Sequence, residues 1–271
     1  MRDSKNIDKF GLELRNRRYA NNTIRLYTSA IRKFFEFARK NTALSPENRI
    51  ACFLDGYANN EEAKRLAWCA VLSFYRVVVN KPCPYRLTDI RSRKRLPVVL
   101  SKEEIATITN SIRNDKHKTM ILLLYGSGLR VSEAINLKCA SISFTQKTIR
   151  IMNAKQHKDR ITLLPAVLIP DLQAMCDGKR PNDFVFTTIS GSKYSVRTLQ
   201  TIFSKALREC GIQSNATCHS LRHSFATHLL EQGVHLGKIK SMLGHSSLKT
   251  TMIYLHTAND GIGSIPSPLD V

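Results

Sequence analysis

The sequence predicts a mainly α-helical protein with one small antiparallel β-sheet, divided into an N-terminal four-helix domain and a mixed α/β second domain. Three observations predict it. Apolar residues recur at helical spacing through most of the first 85 residues and again after Ser101. Two short β-rich runs flank a polar stretch at residues 153–159. A basic segment punctuated by prolines separates the two patterns. The 271 residues, 42% of them hydrophobic, suffice for one large or two ordinary domains and exclude a wholly disordered chain.

Taken in order, Ser4 is a candidate cap for a first helix with Ile7, Phe10 and Leu14 on one side. Thr23 precedes a second, whose stripe is Ile24, Tyr27, Ile31, Phe34, Phe35 and Ala38 and whose other face carries Arg25, Arg32, Lys33, Arg39 and Lys40. Ser45-Pro46-Glu47 supplies cap, first-turn proline and acid for a third helix ending near Asp55-Gly56. Residues 61–79 read as a fourth, with Leu66, Ala70, Phe74 and Val78 inward. The aromatic residues of this domain lie on the apolar stripes and are therefore core, not base-stacking platforms. Between Lys81 and Pro97 stand three prolines and six basic residues against one acid, Asp89, the signature of a linker. Ser101 and Glu104 form a capping box ahead of Ile105, Ile108 and Ile112. Strands are expected at residues 148–152 and 160–164, with Ile142 and Phe144 as a third and Lys155 at the hairpin tip. Helices at residues 195–210, 220–232 and 236–243 each end at a glycine: Gly211, Gly233 and Gly244. A Gly, Ser and Pro-rich tail follows Asn259.

Charge narrows the partners. With 42 Lys and Arg against 21 Asp and Glu, the formal net charge is +21. Residues 1–100 carry +12 of it and the remaining residues +9, so both domains attract the same kind of polyanion. No run approaches the roughly 20 apolar residues of a spanning helix. The N-terminus lacks the apolar core of a signal peptide, and the seven cysteines form no Cys-x-x-Cys pair. A reduced, cytoplasmic protein is expected, with no membrane partner. Neither a phosphate-binding Gly-rich loop followed by Lys-Ser/Thr nor a G-x-G-x-x-G motif is present, so nucleotide hydrolysis has no support.

The densest chemical signal is Cys218-His219-Ser220-Leu221-Arg222-His223, which continues to His228 and is followed by Leu243-Gly244-His245 and Thr250-Thr251-Met252-Ile253-Tyr254. His219 and Arg222 are three apart and share one helix face, while Leu221, Phe225 and Leu229 occupy another. His219 and His223 have zinc-ligand spacing, but Ser220 stands where a metallopeptidase needs Glu, which disfavours a metal. His223 and His228 read as structural histidines. A second signal, Gly126-Ser127-Gly128-Leu129-Arg130, places an arginine at a helix start, where the dipole favours an anion. Alone this motif is weak and reads first as a helix-surface pair of Arg130 with Glu133. Together Arg130, Lys155, His219, Arg222, His245 and Tyr254 stabilise negative charge without a carboxylate among them. Two-metal phosphoryl transfer needs clustered acids. A metal-free route can use two Arg forks on the phosphate oxygens, His for protons, Lys for a leaving oxygen and Tyr as nucleophile.

These residues, with Thr23-x-x-x-Tyr27 and Phe34 in the first domain and Leu96-Pro97-Val98-Val99-Leu100-Ser101 at the start of the second, resemble the tyrosine recombinases of the phage-integrase family, which includes the XerC and XerD resolvases. The resemblance covers nearly the whole chain, and all six catalytic positions occur in order. It implies a core-binding domain at residues 1–85, a basic linker at 86–95, a catalytic domain at 96–258 and a C-terminal tail at 259–271, the two domains forming a C-shaped clamp on DNA. By the same resemblance, Arg130 and Arg222 bind the scissile phosphate and Lys155 protonates the leaving 5′ oxygen. His219 handles protons for Tyr254, His245 hydrogen-bonds the transition state, and Tyr254 attacks to form a 3′-phosphotyrosyl link without metal, ATP or other cofactor. Ala154-Lys155-Gln156 departs from the family's Gly-Lys-Gly, which leaves Lys158 as a competing acid. The implied partners are duplex DNA with inverted half-sites and three further protomers, identical or from a related recombinase, with the tail docking on a neighbour. An integron integrase is a rival within the family. The 64-residue interval between Lys155 and His219 is short for the helical insertion such enzymes carry, although Ser267-Pro268-Leu269-Asp270 is similar to their ending. A DNA-binding regulator that keeps the clamp and a nicking-resealing topoisomerase are the remaining alternatives.

Overall fold

A computed structural model describes residues 2–86, 97–152 and 159–244. The chain divides into two compact units, Met1–Lys94 and Arg95–Val271. The fold class is the one the sequence predicts, mainly helical with a three-stranded antiparallel sheet.

The first unit contains α1 (Arg2–Asn16), α2 (Asn21–Lys40), α3 (Pro46–Asp55) and α4 (Glu61–Phe74), followed by a π-helical turn, Tyr75–Val79. Ser45 caps α3 by accepting from the Asn48 backbone N–H, as expected. Two other starts differ. Helix α1 begins ahead of Ser4, and α2 begins at Asn21, so Thr23 lies inside its first turn. No side chain caps α2; its start is set by the stripe of Ile24, Ile31 and Phe34 against the core. The fourth helix is also shorter than its periodicity suggests. After Phe74 it widens into the π turn, where three consecutive valines crowd the helix, and it ends at Asn80 in the left-handed region, φ 54°.

Rings fill this core edge to face. Phe74 meets Phe10 at 5.5 Å and Phe35 at 5.3 Å, and Phe34 meets Phe53 at 5.2 Å. The basic face of α2 is exposed as expected, and Cys83 and Tyr85 still pack on this unit, Tyr85 against Trp68.

In the second unit, α5 (Lys102–Ser111) opens with the Ser101–Glu104 capping box. Next comes α6 (Asp115–Gly126), which the sequence conceals. Its residues 119–124 are apolar nearly all round and bury Met120, Ile121, Leu123 and Leu124, so no stripe marks it. Then follow α7 (Val131–Ile135), a 3-10 turn (Cys139–Ser141), β1 (Ile142–Ser143), β2 (Thr148–Ile151) and β3 (Arg160–Leu163). Strand order is β1-β2-β3, with Ile142 opposite Ile149 and Ile151 opposite Arg160. The last elements are α8 (Ile169–Cys176), α9 (Val196–Glu209, capped by Ser195), α10 (Cys218–Glu231) and α11 (Leu236–Leu243). Helix α10 starts two residues before the expected Ser220 because Thr217 caps it, accepting from the His219 N–H. Gly211, Gly233 and Gly244 end their helices with positive φ. All seven cysteines are free. Among the described residues, no helix is long and apolar enough to cross a membrane.

Candidate active site

Three of the six expected residues lie among the described ones: Arg130, His219 and Arg222. Lys155, its competitor Lys158, His245, Tyr254 and the tail lie outside the described residues, as does most of the linker.

Among the described residues Arg222 is the largest fully buried side chain, 1% exposed. It projects from the second turn of α10 and donates from Nη1 to the Gly128 carbonyl at 2.6 Å and from Nη2 to the Leu243 carbonyl. Gly128 belongs to the turn that delivers Arg130, and Leu243 to the end of α11, which runs into His245. A planar guanidinium holding two backbone carbonyls is fixed in orientation, which a lysine in its place cannot reproduce. The close approach also explains the glycine. Gly128 has φ +60°, and a Cβ there would stand 2.5 Å from Phe225 on α10. Ser127, just before it, keeps a buried hydroxyl with no hydrogen-bond partner among the described residues.

Arg130 occupies the N-cap of α7. Its backbone N–H and its Nη1 both donate to Glu133, at 2.7 and 2.8 Å. The Arg130–Glu133 pair thus exists, but it is not a surface pair. Glu133 is 11% exposed and also accepts from both terminal nitrogens of Arg160, at 2.6 and 2.7 Å. Burial by itself pushes the Glu133 carboxyl up. The hydrogen bonds and charge of Arg160, then the bonds from Arg130, overcome that and hold it at about 2. The sequence marks Glu133 only as a surface partner of Arg130 and does not mark Arg160 at all. The signal was the polarity of β3, whose Arg160 and Thr162 point inward while Ile161 and Leu163 are exposed.

His219 keeps an exposed edge in the first turn of α10. Crowding by surrounding protein, then the positive charges of Arg222 and Arg130, lowers its pKa and favours the neutral ring. Its ring stands edge-on to His223, centroids 4.6 Å apart at 88°. His223 is held down to about 4, by burial first and then by His219 and Arg222. Among the described residues there is no cluster of three or more metal-ligating side chains. His228 is structural: its Nδ1 meets the Tyr125 hydroxyl at 2.8 Å and ties α10 to α6.

The geometry therefore brings Arg130, His219 and Arg222 together around the turn at Gly128 and the end of α11. Two guanidinium groups and a neutral imidazole can bind an anion and accept a proton.

Comparison with known proteins follows both units. The family described as "Phage integrase family" matches residues 98–260, and "Phage integrase, N-terminal SAM-like domain" matches residues 7–84. A tyrosine recombinase of Thermosipho africanus is 30% identical over 260 residues, covering 90% of this chain and 91% of that protein. Tyrosine recombinase XerA of Thermococcus onnurineus is 34% identical over 241 residues, covering 86% and 84%. Among solved structures, XerH site-specific recombinase bound to palindromic difH substrate has the same fold, with a TM-score of 0.74 at 21% identity, covering 92% of this chain and 80% of that one.

Proposed function

The chain belongs to the phage integrase family of tyrosine recombinases, enzymes that cut and rejoin DNA at specific sites, and from that premise we propose that it works through a covalent 3′-phosphotyrosyl intermediate at Tyr254. The observation that carries this reading is the Arg222 guanidinium, gripping at once the turn before Arg130 and the residue two before His245.

In the proposed step the Tyr254 hydroxyl attacks the scissile phosphorus and the bond to the 5′ oxygen breaks. His219 takes the tyrosine proton; its lowered pKa leaves it neutral and able to accept at pH 7. Lys155 delivers a proton to the leaving oxygen, which departs as a 5′ hydroxyl. Arg130 and Arg222 neutralise the non-bridging oxygens, and His245 donates a further hydrogen bond. The phosphotyrosyl ester conserves the bond energy, so a 5′ hydroxyl from a second duplex restores the phosphodiester without ATP or a metal ion. The core-binding domain spans residues 1–85 and the catalytic domain 96–258, with a linker at 86–95 and a tail at 259–271.

The partner is duplex DNA with inverted half-sites, held by both basic domains as a clamp. Four protomers act on two sites, as a homotetramer or with a related recombinase, in the cytoplasm at the nucleoid. Each phosphate neutralised steepens the salt dependence of binding by about −0.9 in log–log slope. Tyr254→Phe is expected to abolish the covalent adduct on a nicked suicide substrate while DNA binding stays within about twofold, since one hydroxyl is removed from a large polar interface. Adduct formation by the Phe variant assigns the nucleophile elsewhere. Strand exchange between two labelled duplexes separates recombination from nicking and resealing.

A further inference from the structure

We infer that Arg160 is a positioning residue for strand cleavage, one guanidinium that fixes Glu133, and through it Arg130, against the chain leading into His245. The inference rests on the phosphotyrosyl reading and goes beyond it, because Arg160 belongs to none of the six proposed catalytic positions.

Arg160 opens β3 and is opposite Ile151, the last pair before the connection that contains Lys155. Its side chain is 3% exposed and makes three directed bonds. Nη1 and Nη2 donate to the two oxygens of Glu133, and Nε donates to the Met242 carbonyl at 2.7 Å. Each Glu133 oxygen is thereby shared between Arg160 and Arg130: Oε1 receives both Nη1 groups, and Oε2 receives Arg160 Nη2 and the Arg130 backbone N–H. A carboxylate held by four donors has one orientation, and the Arg130 fork follows it. At the other end, Gly244 lies on the Arg160 stem: a Cβ there would be 2.7 Å from Arg160 Cδ, at φ +64°.

A second, independent bond runs the same way. Thr162, the next inward residue of β3, donates to the Ser127 carbonyl at 2.7 Å in the turn before Arg130. Three elements that deliver proposed catalytic residues, the β2–β3 hairpin, the Arg130 turn and the end of α11, thus meet at one strand. Stability alone does not call for charge here, because a buried ion pair is often matched or bettered by apolar side chains of similar volume. Orientation does call for it, since small displacements of a reacting group cost rate steeply.

The test uses the full chain, with Arg160→Lys and Arg160→Met compared with wild type. Single-turnover adduct formation is measured on a nicked suicide substrate at saturating DNA, together with DNA affinity and Tm. Arg160→Lys keeps the charge but loses the fork. It is expected to bind DNA within about twofold of wild type and to cleave roughly 10- to 100-fold more slowly, the scale of an ångström-sized misplacement. Arg160→Met is expected to cleave more slowly still. A Lys variant that cleaves at the wild-type rate overturns the inference. So does a loss of cleavage, in both variants, that only tracks a collapse of Tm and of binding. Absence of adduct from the wild type overturns the phosphotyrosyl reading and this inference with it, whereas equal adduct from wild type and Arg160→Lys overturns this inference alone.

Discussion

The two units bury different chemistry. Every buried side chain described in the first is apolar, from Phe10 and Leu14 to Val71 and Phe74, whereas the buried polar and charged residues among the described ones, Arg160, Arg222, Thr162, Ser127 and His228 included, belong to the second. The first unit is held by transfer of apolar surface from water, which is non-directional and tolerates rearrangement. The second adds directed bonds that fix one arrangement at the cost of desolvating charge. That division suits the proposed labour, in which a basic helical unit holds DNA and the second unit aims reacting groups.

The largest effect is expected from Arg222→Lys. Lysine keeps the charge and much of the volume but cannot bridge the Gly128 and Leu243 carbonyls in one plane. Cleavage at saturating DNA is expected to fall by roughly 10²–10³, as for loss of one preorganised donor. A Lys variant with wild-type rate would show that charge suffices and direction does not matter.

The mirror experiment is Phe74→Ala. Its ring packs on Phe10, Phe35 and Tyr75 and is 4% exposed. Truncation is expected to cost about 3–5 kcal/mol. Hydrogen exchange should quicken through α1–α4 and leave α5–α11 protected as before. Equal loosening of α10 would mean that the two cores fold as one cooperative body.

The same difference governs what the sequence disclosed. The helices of the first unit follow from periodicity because their cores are made only of what periodicity reports; the misplaced starts at Ser4 and Thr23 are ends where packing outweighs caps. In the second unit, Arg130, His219 and Arg222 stood out as charged groups beside glycines and helix starts. Helix α6 did not, because its residues 119–124 are apolar on nearly every face and leave no stripe. Nor did Arg160, or the burial of Glu133 beneath it. Alternation along β3 would place Ile161 and Leu163 inside, and only tertiary partners on α7 and α11 reverse it. A buried charge is legible only when its partner is known, and here the partner is 27 residues away.

Acid separates the units with a smaller effect. All eight histidines follow residue 116, so the first unit has none. Four described ones, His117, His219, His223 and His228, have pKa values lowered by burial first, His223 to about 4. An unfolded histidine takes up its proton near 6.5. Below that pH the unfolded state therefore binds more protons than the folded one, and stability falls as pH falls; it is complete above 6.5 and is lost progressively towards the folded value. Glu133 works in a lower window, since a carboxyl held at about 2 stabilises above its ordinary value near 4.5 and loses that only in stronger acid. Between pH 6.5 and 5 the loss should therefore be confined to the second unit, lowering its Tm by roughly a few degrees. Residue-resolved hydrogen exchange at pH 7 and pH 5.5, corrected for intrinsic rates, should find α10 less protected and α1–α4 unchanged. A uniform loss would mean that the histidines report on the whole molecule and that the first unit owes part of its stability to the second.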